Sequence, residues 1–169
     1  DPPSPILDFG TAVHASCESF LKTRLMDATI AIDFLKKAFA EKKLTHPDIF
    51  TDTELEKLKI ELIPILNEVP KFLDENFEGW ELVDAEHALY ELADEKYPHA
   101  FKGYVDAFIK VKDKKGKELY WVLDWKTSVW GWKAEKKSDF RMHQQLMLYK
   151  HFISKKFGIE FKKIRCGFV

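Results

Sequence analysis

From about Phe9 to Leu44 the apolar residues Val13, Phe20, Leu21, Leu25, Ile30, Phe34, Leu35 and Phe39 recur at mixed three- and four-residue steps, with no glycine after Gly10 and no proline until Pro47. Such spacing lines apolar side chains along one side of a helix, so the segment predicts one long helix or two. The stretch "THPDIFTDTE" interrupts the pattern at Pro47 and offers Thr51 or Asp52 as an N-cap. A further helix is expected from there through Leu55, Leu58, Leu62 and Ile65 to about Asp74. It should kink at Pro64 or break near Pro70, because an internal proline removes a backbone donor and crowds the preceding turn.

Beyond Gly79 the period shortens to two. "WELVDAEHALYEL", "FKGYVDAFIKVK" and "ELYWVLDWKT" alternate as strands do, and the turn "DKKGK" joins the last two. Ser138 or Asp139 can cap another helix carrying Phe140, Leu146, Leu148, Tyr149 and Phe152 and ending near Gly158, after which "FKKIRCGFV" resumes as a strand. The order α-α-β-β-β-α-β defines an α/β protein of the α+β kind. A chain of 169 residues is the size of one domain, with a mainly helical part over 1–78 and a sheet-and-helix core over 79–169. Between the third strand and the helix, "VWGWKAEKK" is expected to be a loop.

Composition narrows the class. Apolar residues at 46% and charged ones at 33% give a soluble balance, and no apolar run is long enough to cross a bilayer. Two cysteines, Cys17 and Cys166, are too few for a disulfide scaffold or a four-cysteine metal or iron–sulfur site. With no signal peptide, an intracellular compartment is expected. The start at Asp1 and the end within a strand read as trimming at one or both ends. Net charge is −1, but residues 1–100 hold 21 acidic against 10 basic residues, and residues 101–169 hold 7 against 17. A basic C-terminal part points to an anionic partner, although lysines solvating exposed faces give the same count.

Two carboxylates stand out. Asp106 lies within the second strand in "GYVDAF" and Asp124 ends the third in "VLDWKT". Adjacent strands joined by a short turn can bring these groups to one end of a sheet, where paired negative charge is unfavourable unless a cation lies between. Hard oxygen ligands suit Mg²⁺ or Mn²⁺, which polarise phosphate and lower the pKa of bound water. Lys126 follows Asp124 by two and so shares its face. It can hold or deprotonate an attacking water and offset charge building on phosphorus. A strand-end ion pair worth well under ~1 kcal/mol is the other reading of that spacing.

The surrounding residues widen the set. His14 sits four after Gly10 in "GTAVHASCE", Glu86 lies in "VDAEHAL", Gly103 precedes Asp106 by three, and Gln145 and Tyr149 stand four apart on one helix face in "QQLMLY". Taken in order, "GTAVH", "AE", "KGYVD", "LDWKTS" and "QLMLY" resemble the PD-(D/E)XK nuclease superfamily, and more narrowly its RecB-like exonuclease branch. The resemblance runs from Gly10 to the last strand. It implies a restriction-endonuclease-like core, a mixed central sheet flanked by helices. The activity implied is a DNA exonuclease using one or two Mg²⁺ or Mn²⁺ ions without sequence specificity, in recombination, repair or phage DNA processing.

By that resemblance His14, Asp106, Asp124 and the backbone carbonyl of Trp125 ligate the metal, and Lys126 is the catalytic lysine. Gln145 and Tyr149 support the site and line the DNA channel, and Glu86 supports the site before the G-x-x-D strand. Gln144 competes with Gln145, and the four-residue step to Tyr149 favours the latter; Glu91 is the alternative to Glu86. His87, Tyr104 and the side chain of Trp125 read as structural, and the helical stretch between His14 and Glu86 as an arch or wall over the DNA path. Cluster-carrying members use four cysteines, so no iron–sulfur cluster is expected. No helicase motif is present, so a helicase or recombinase partner would be another chain.

For DNA contact the chain offers "KVKDKKGKE", "WGWKAEKKSDFRMHQQ" and "KKFGIEFKK". Lysines follow phosphates without reading sequence, and Trp130 and Trp132, followed by Lys133, can stack on an unpaired base of single-stranded DNA or a duplex end. An endonuclease of the same fold and a non-catalytic module that binds DNA ends compete with the exonuclease reading.

Overall fold

A computed structural model of the chain describes residues 3–94, 97–127 and 140–169, with the backbone alone for 86–88, 90–94 and 97–102. The chain divides into two compact units, Asp1–Phe77 and Glu78–Val169.

The first unit is helical: α1 (Pro5–Thr23), α2 (Ala28–Lys43) and α3 (Asp52–Asn76). The 9–44 periodicity thus resolves into two helices, and α1 begins four residues before Phe9. Pro5 starts α1, where its missing N–H costs nothing. Arg24 ends that helix in the left-handed region at φ 64°, its N–H donating to Phe20 O at 2.7 Å. Asp27 then caps α2 by accepting from Thr29 N at 2.9 Å. Buried Ser16 bridges the two helices: its Oγ donates to Asp27 O at 2.9 Å and accepts from Ala31 N at 3.1 Å. Leu25, expected among the apolar positions of a helix, falls in this connection and is 74% exposed.

Thr51 takes the cap of α3, accepting from Glu54 N at 3.1 Å. The helix then runs through both Pro64 and Pro70 to Asn76, without the break offered near Pro70 as the alternative to a kink at Pro64. Each internal proline costs about 3 kcal/mol. Burying Leu58, Leu62, Leu66 and Leu73 contributes about 1.5–3 kcal/mol apiece, so the apolar stripe outweighs both. Ile65, read as part of that stripe, instead stands 40% exposed, because the buried positions step 58-62-66-69-73.

The second unit is a four-stranded sheet of order β1-β2-β3-β4, made of β1 (Glu81–Asp94), β2 (Tyr97–Lys112), β3 (Glu118–Asp124) and β4 (Ile164–Phe168). The first two pairings are antiparallel and β3 pairs β4 in parallel, so the sheet is mixed. The turn between β2 and β3 needs Gly116 at φ 75°, and Asp113 Oδ1 fastens it by accepting from Lys115 N and Lys117 N. A parallel neighbour requires a crossover. Helix α4 (Phe140–Phe157) lies in that connection and ends before Gly158 at φ 65°. Residues 161–163, expected to be strand, form a short 3₁₀ turn.

Tyr149, Phe152 and Ile153 of α4 join Leu89, Val105, Phe108, Val122 and Ile164 of the sheet in one core. Phe140 and Leu148, expected on the apolar face of α4, are 76% and 36% exposed, out of phase with Tyr149, Phe152 and Ile153. This α+β arrangement around a mixed sheet is of the restriction-endonuclease-like kind.

Candidate active site

Register determines how the two strand aspartates meet. Ala107 pairs with Leu123 and Phe108 with Val122, so one further step along the antiparallel ladder sets Asp106 opposite Asp124. Both are buried, at 5% and 3% exposure, although charged groups seldom are. On the other side of β2, Ala85 pairs with Ala107 and His87 with Val105, so Glu86 occupies the strand position between those pairs, beside Asp106. For Glu86 and for its alternative Glu91 the description stops at the backbone of β1.

The three residues Asp124, Trp125 and Lys126 are held from both neighbouring strands. Towards β2, Trp125 N–H donates to Asp106 Oδ2 at 2.6 Å in a buried hydrogen bond. Towards β4, Val169 N–H donates to Asp124 O at 3.0 Å and Lys126 N–H to Val169 O at 2.8 Å, prolonging the parallel pairing past the strand end. Trp125, buried at 4%, packs as expected. Two-residue alternation brings Lys126 back to the face of Asp124, where its Nζ forms an ion pair with Asp124 Oδ2 and stands 5.6 Å above the Phe168 ring. The carboxylate of that pair is 5% exposed and the lysine 32%. It is therefore not the solvated surface pair that the spacing alone permits.

Helix α4 adds a polar group beside the carboxylates. Gln145 Nε2 donates to Tyr149 Oη at 2.7 Å, across the four-residue step that favoured Gln145 over Gln144. Burial holds the Tyr149 phenol above its ordinary range. The Gln145 bond opposes that rise, the negative charges of Asp124 and Asp106 add to it, and a bond from the backbone N–H of Tyr104 opposes it. Tyr149 is thus neutral at physiological pH, senses both carboxylates, and accepts hydrogen bonds that leave its own proton to be donated. Tyr104, expected to be a packing residue, is 50% exposed and contributes its backbone instead. It shares strand parity with Asp106, so its side chain extends from the edge of the same face.

The other predicted residues belong to the first unit or to segments that the description does not cover. His14 is half-buried on α1 of the helical unit. Trp130, Trp132, Lys133, the loop that carries them and the Ser138 or Asp139 cap lie outside the described residues. Among the described residues no three His, Cys, Asp or Glu side chains gather as a ready cation site. Among the described residues of the second unit, the candidate chemistry comprises two facing carboxylates, a lysine and a tyrosine. Phe168 and Val169 escaped the sequence reading because nothing local to "CGFV" announces a parallel partner. No helix among the described residues is long and apolar enough to cross a membrane.

Comparison with known proteins agrees with this geometry. None of the curated proteins matches the chain. A sequence model of the PD-(D/E)XK nuclease superfamily, whose members generally use divalent metal ions and act on DNA, matches residues 1–164 and spans both units. With that match over nearly its whole length, the chain belongs to the PD-(D/E)XK nuclease superfamily.

Proposed function

We propose that this protein is a metal-dependent DNA exonuclease that hydrolyses phosphodiester bonds without sequence specificity, of the RecB-like kind, with both units serving one nuclease domain. The observation that carries the reading is the facing pair of buried carboxylates, Asp106 and Asp124, with Lys126 on the second. Two adjacent buried negative charges with one lysine between them and solvent fit a divalent cation, and oxygen donors favour Mg²⁺ or Mn²⁺. Asp106 and Asp124 would hold it, with the Trp125 carbonyl and His14 assigned by the family resemblance. Such an ion, when bound, polarises the scissile phosphate and makes water nucleophilic at neutral pH.

The chain's own groups do the rest. Lys126, positioned by Asp124 and Phe168, directs its ammonium at the phosphate oxygens and orients the attacking water. Asp106 fixes Trp125 by its hydrogen bond and so fixes the reach of Lys126. Tyr149, braced by Gln145, donates towards the carboxylates and holds them in register. Glu86 supports the same site. Trp130, Trp132 and Lys133 contact single-stranded DNA or a duplex end, and nothing on the chain resembles a base-reading helix. An intracellular role in recombination, repair or phage DNA processing, beside a helicase or recombinase, follows from this activity.

End-labelled single- and double-stranded DNA, incubated with Mg²⁺ or Mn²⁺ and then with chelator, tests the reading. Cleavage should need the metal and fall by about 100-fold or more in Lys126→Ala. No cleavage under any divalent ion sinks it and leaves a DNA-end-binding module, and full cleavage by Lys126→Ala sinks the mechanism assigned to this site. Closed circular DNA should survive; its cutting marks an endonuclease.

A further inference from the structure

The sheet has two ends, and the carboxylates occupy only one. Asp124 closes β3, whereas Glu118 opens it, six residues and about 20 Å of strand away. The β2–β3 turn lies at that far end, and the parallel register of Tyr120 with Ile164 brings the 3₁₀ turn there too. Helix α4 runs the same way. Tyr149 senses Asp106 and Asp124, while Phe157, two turns on, packs its ring 5.2 Å from Phe108 and leads to Gly158. Two lysine-rich segments far apart in sequence, 110–118 and 155–165, therefore converge at one end of the sheet.

Together they carry ten basic residues against three acidic ones, in a chain whose net charge is −1. The three acids are committed locally. Asp113 holds the turn through backbone N–H groups, Glu118 lies 3.6 Å from Lys110, and Glu160 pairs with Lys162 at 2.8 Å and Lys163 at 3.4 Å. Lys112, Lys114, Lys115, Lys117, Lys155 and Lys156 are exposed and pair with no carboxylate among the described residues. Between the turn and the 3₁₀ segment runs an open groove of about 600 Å³, with Lys117, Lys162 and Lys163 on its walls. Like charges gathered this way repel one another unless an anion lies across them.

We propose that this end of the sheet docks the nucleic-acid backbone, as a second contact about 20 Å from the site of cleavage; the proposal rests on the nuclease reading above. Its contacts are electrostatic and indifferent to base sequence, because lysine ammonium groups meet phosphates as point charges. DNA long enough to reach both ends of the sheet is held by both, and a short phosphodiester by the carboxylate end alone.

The test uses the full chain in chelator, so that nothing is cut, and measures binding of labelled single-stranded and duplex DNA across a range of salt. The variant Lys114→Glu, Lys115→Glu, Lys162→Glu, Lys163→Glu is compared with one of equal charge change on the helical unit, Lys36→Glu, Lys37→Glu, Lys57→Glu, Lys71→Glu. The first should bind about tenfold more weakly or worse and lose about three to four from the log–log salt slope, near 0.9 per phosphate contact; the second should stay close to wild type. With metal restored, hydrolysis of the small diester bis-nitrophenyl phosphate should be the same in all three proteins.

Equal weakening by both variants is a general charge effect and overturns the proposal. Unchanged binding by the first variant, with DNA still cut, also overturns it and leaves the nuclease reading intact. If the first variant alone loses binding while wild type cleaves nothing with any divalent ion, the docking surface stands and the nuclease reading falls. Binding lost only to anionic lipid vesicles, and not to DNA, assigns the patch to a membrane surface and overturns the proposal.

Discussion

Asp106 has two duties in this site, and substitutions can separate them. Its Oδ2 accepts the buried Trp125 N–H, and its charge faces Asp124 from the adjacent strand position. Asp106→Ala removes both. A buried donor left without a charged acceptor costs about 1.5–3 kcal/mol, and for a chain of this size each kcal/mol moves Tm by about 2–4 °C, so the hydrogen bond by itself is worth about 3–12 °C. Asp106→Asn keeps an oxygen for the Trp125 N–H and removes only the charge. Two like charges about 5 Å apart, in an effective dielectric near 20, repel by about 3 kcal/mol, an upper bound here because Lys126 already offsets part of the field of Asp124.

Asp106→Asn should therefore melt at or above the wild-type temperature without metal, and Asp106→Ala about 3–12 °C below Asp106→Asn. Added Mn²⁺ should raise the Tm of wild type by mass action and leave both variants where they were, and both should lose DNA cleavage. Thermal denaturation followed by circular dichroism, with and without the ion, reads the melting temperatures, and end-labelled DNA reads the cleavage. Asn and Ala variants melting together below wild type would refute the separation of hydrogen bond from charge. An Asn variant that Mn²⁺ stabilises as much as wild type would remove Asp106 from the cation site.

Tyr149→Phe takes the acceptor from Gln145 Nε2 and from the Tyr104 N–H; cleavage should fall about tenfold and stability by about 1–3 kcal/mol. Gln145→Ala combined with it should cost less than the two singly, and strict additivity in a denaturant-monitored double-mutant cycle would show that the pair does not act as a unit. Cys166, its thiol pushed up to about 11 mainly by burial, should resist alkylation in the folded protein up to about pH 9 and react once the chain unfolds; rapid labelling of native protein contradicts its burial. Because its folded pKa is raised above the 9.0 of an ordinary thiol, the stability it contributes is fully present below pH 9.0 and is lost as pH rises towards 11, a decline that Cys166→Ala should reduce. His14→Ala should raise the metal concentration needed for half-maximal cleavage, and an unchanged metal titration would withdraw His14 from the ligand set.

Much of the second unit was legible because its periods are short and local. Alternation in "FKGYVDAFIKVK" and "ELYWVLDWKT", with "DKKGK" between, announces a hairpin, and its register then sets Asp106 against Asp124. Gln145 and Tyr149 were legible for the same reason, as a helix repeat fixes a four-residue pair. What stayed hidden depends on partners distant in sequence. Leu25 has the same spacing credentials as Phe20 and Leu21, yet the chain turns at Arg24 and leaves it exposed. Pro64 and Pro70 argue locally against one helix, and the buried leucines of α3 overrule them. Tyr104 reads as a packing residue, yet its side chain stands half exposed and its backbone reaches Tyr149.

The position of "DWK" in the sheet explains why a charged tripeptide can sit where a buried strand ends. An acid and a lysine emerging from an isolated strand would fray into water, since a lone exposed pair is worth under ~1 kcal/mol. Here the peptide lies at the junction between antiparallel and parallel pairing. The antiparallel neighbour supplies a side chain, Asp106, to take the Trp125 N–H, while the parallel neighbour supplies backbone at Val169 to both Asp124 and Lys126. Each side satisfies groups that the other leaves open, so the three residues are fixed although regular strand has ended. On the proposed nuclease reading, preorganisation of this kind counts for more than charge alone, because it would hold Lys126 and two carboxylates in register before any phosphate arrives. It also accounts for the depth of the carboxylates: buried at 5% and 3%, they would destabilise an ordinary sheet end, and such a destabilising pair persists where function requires it.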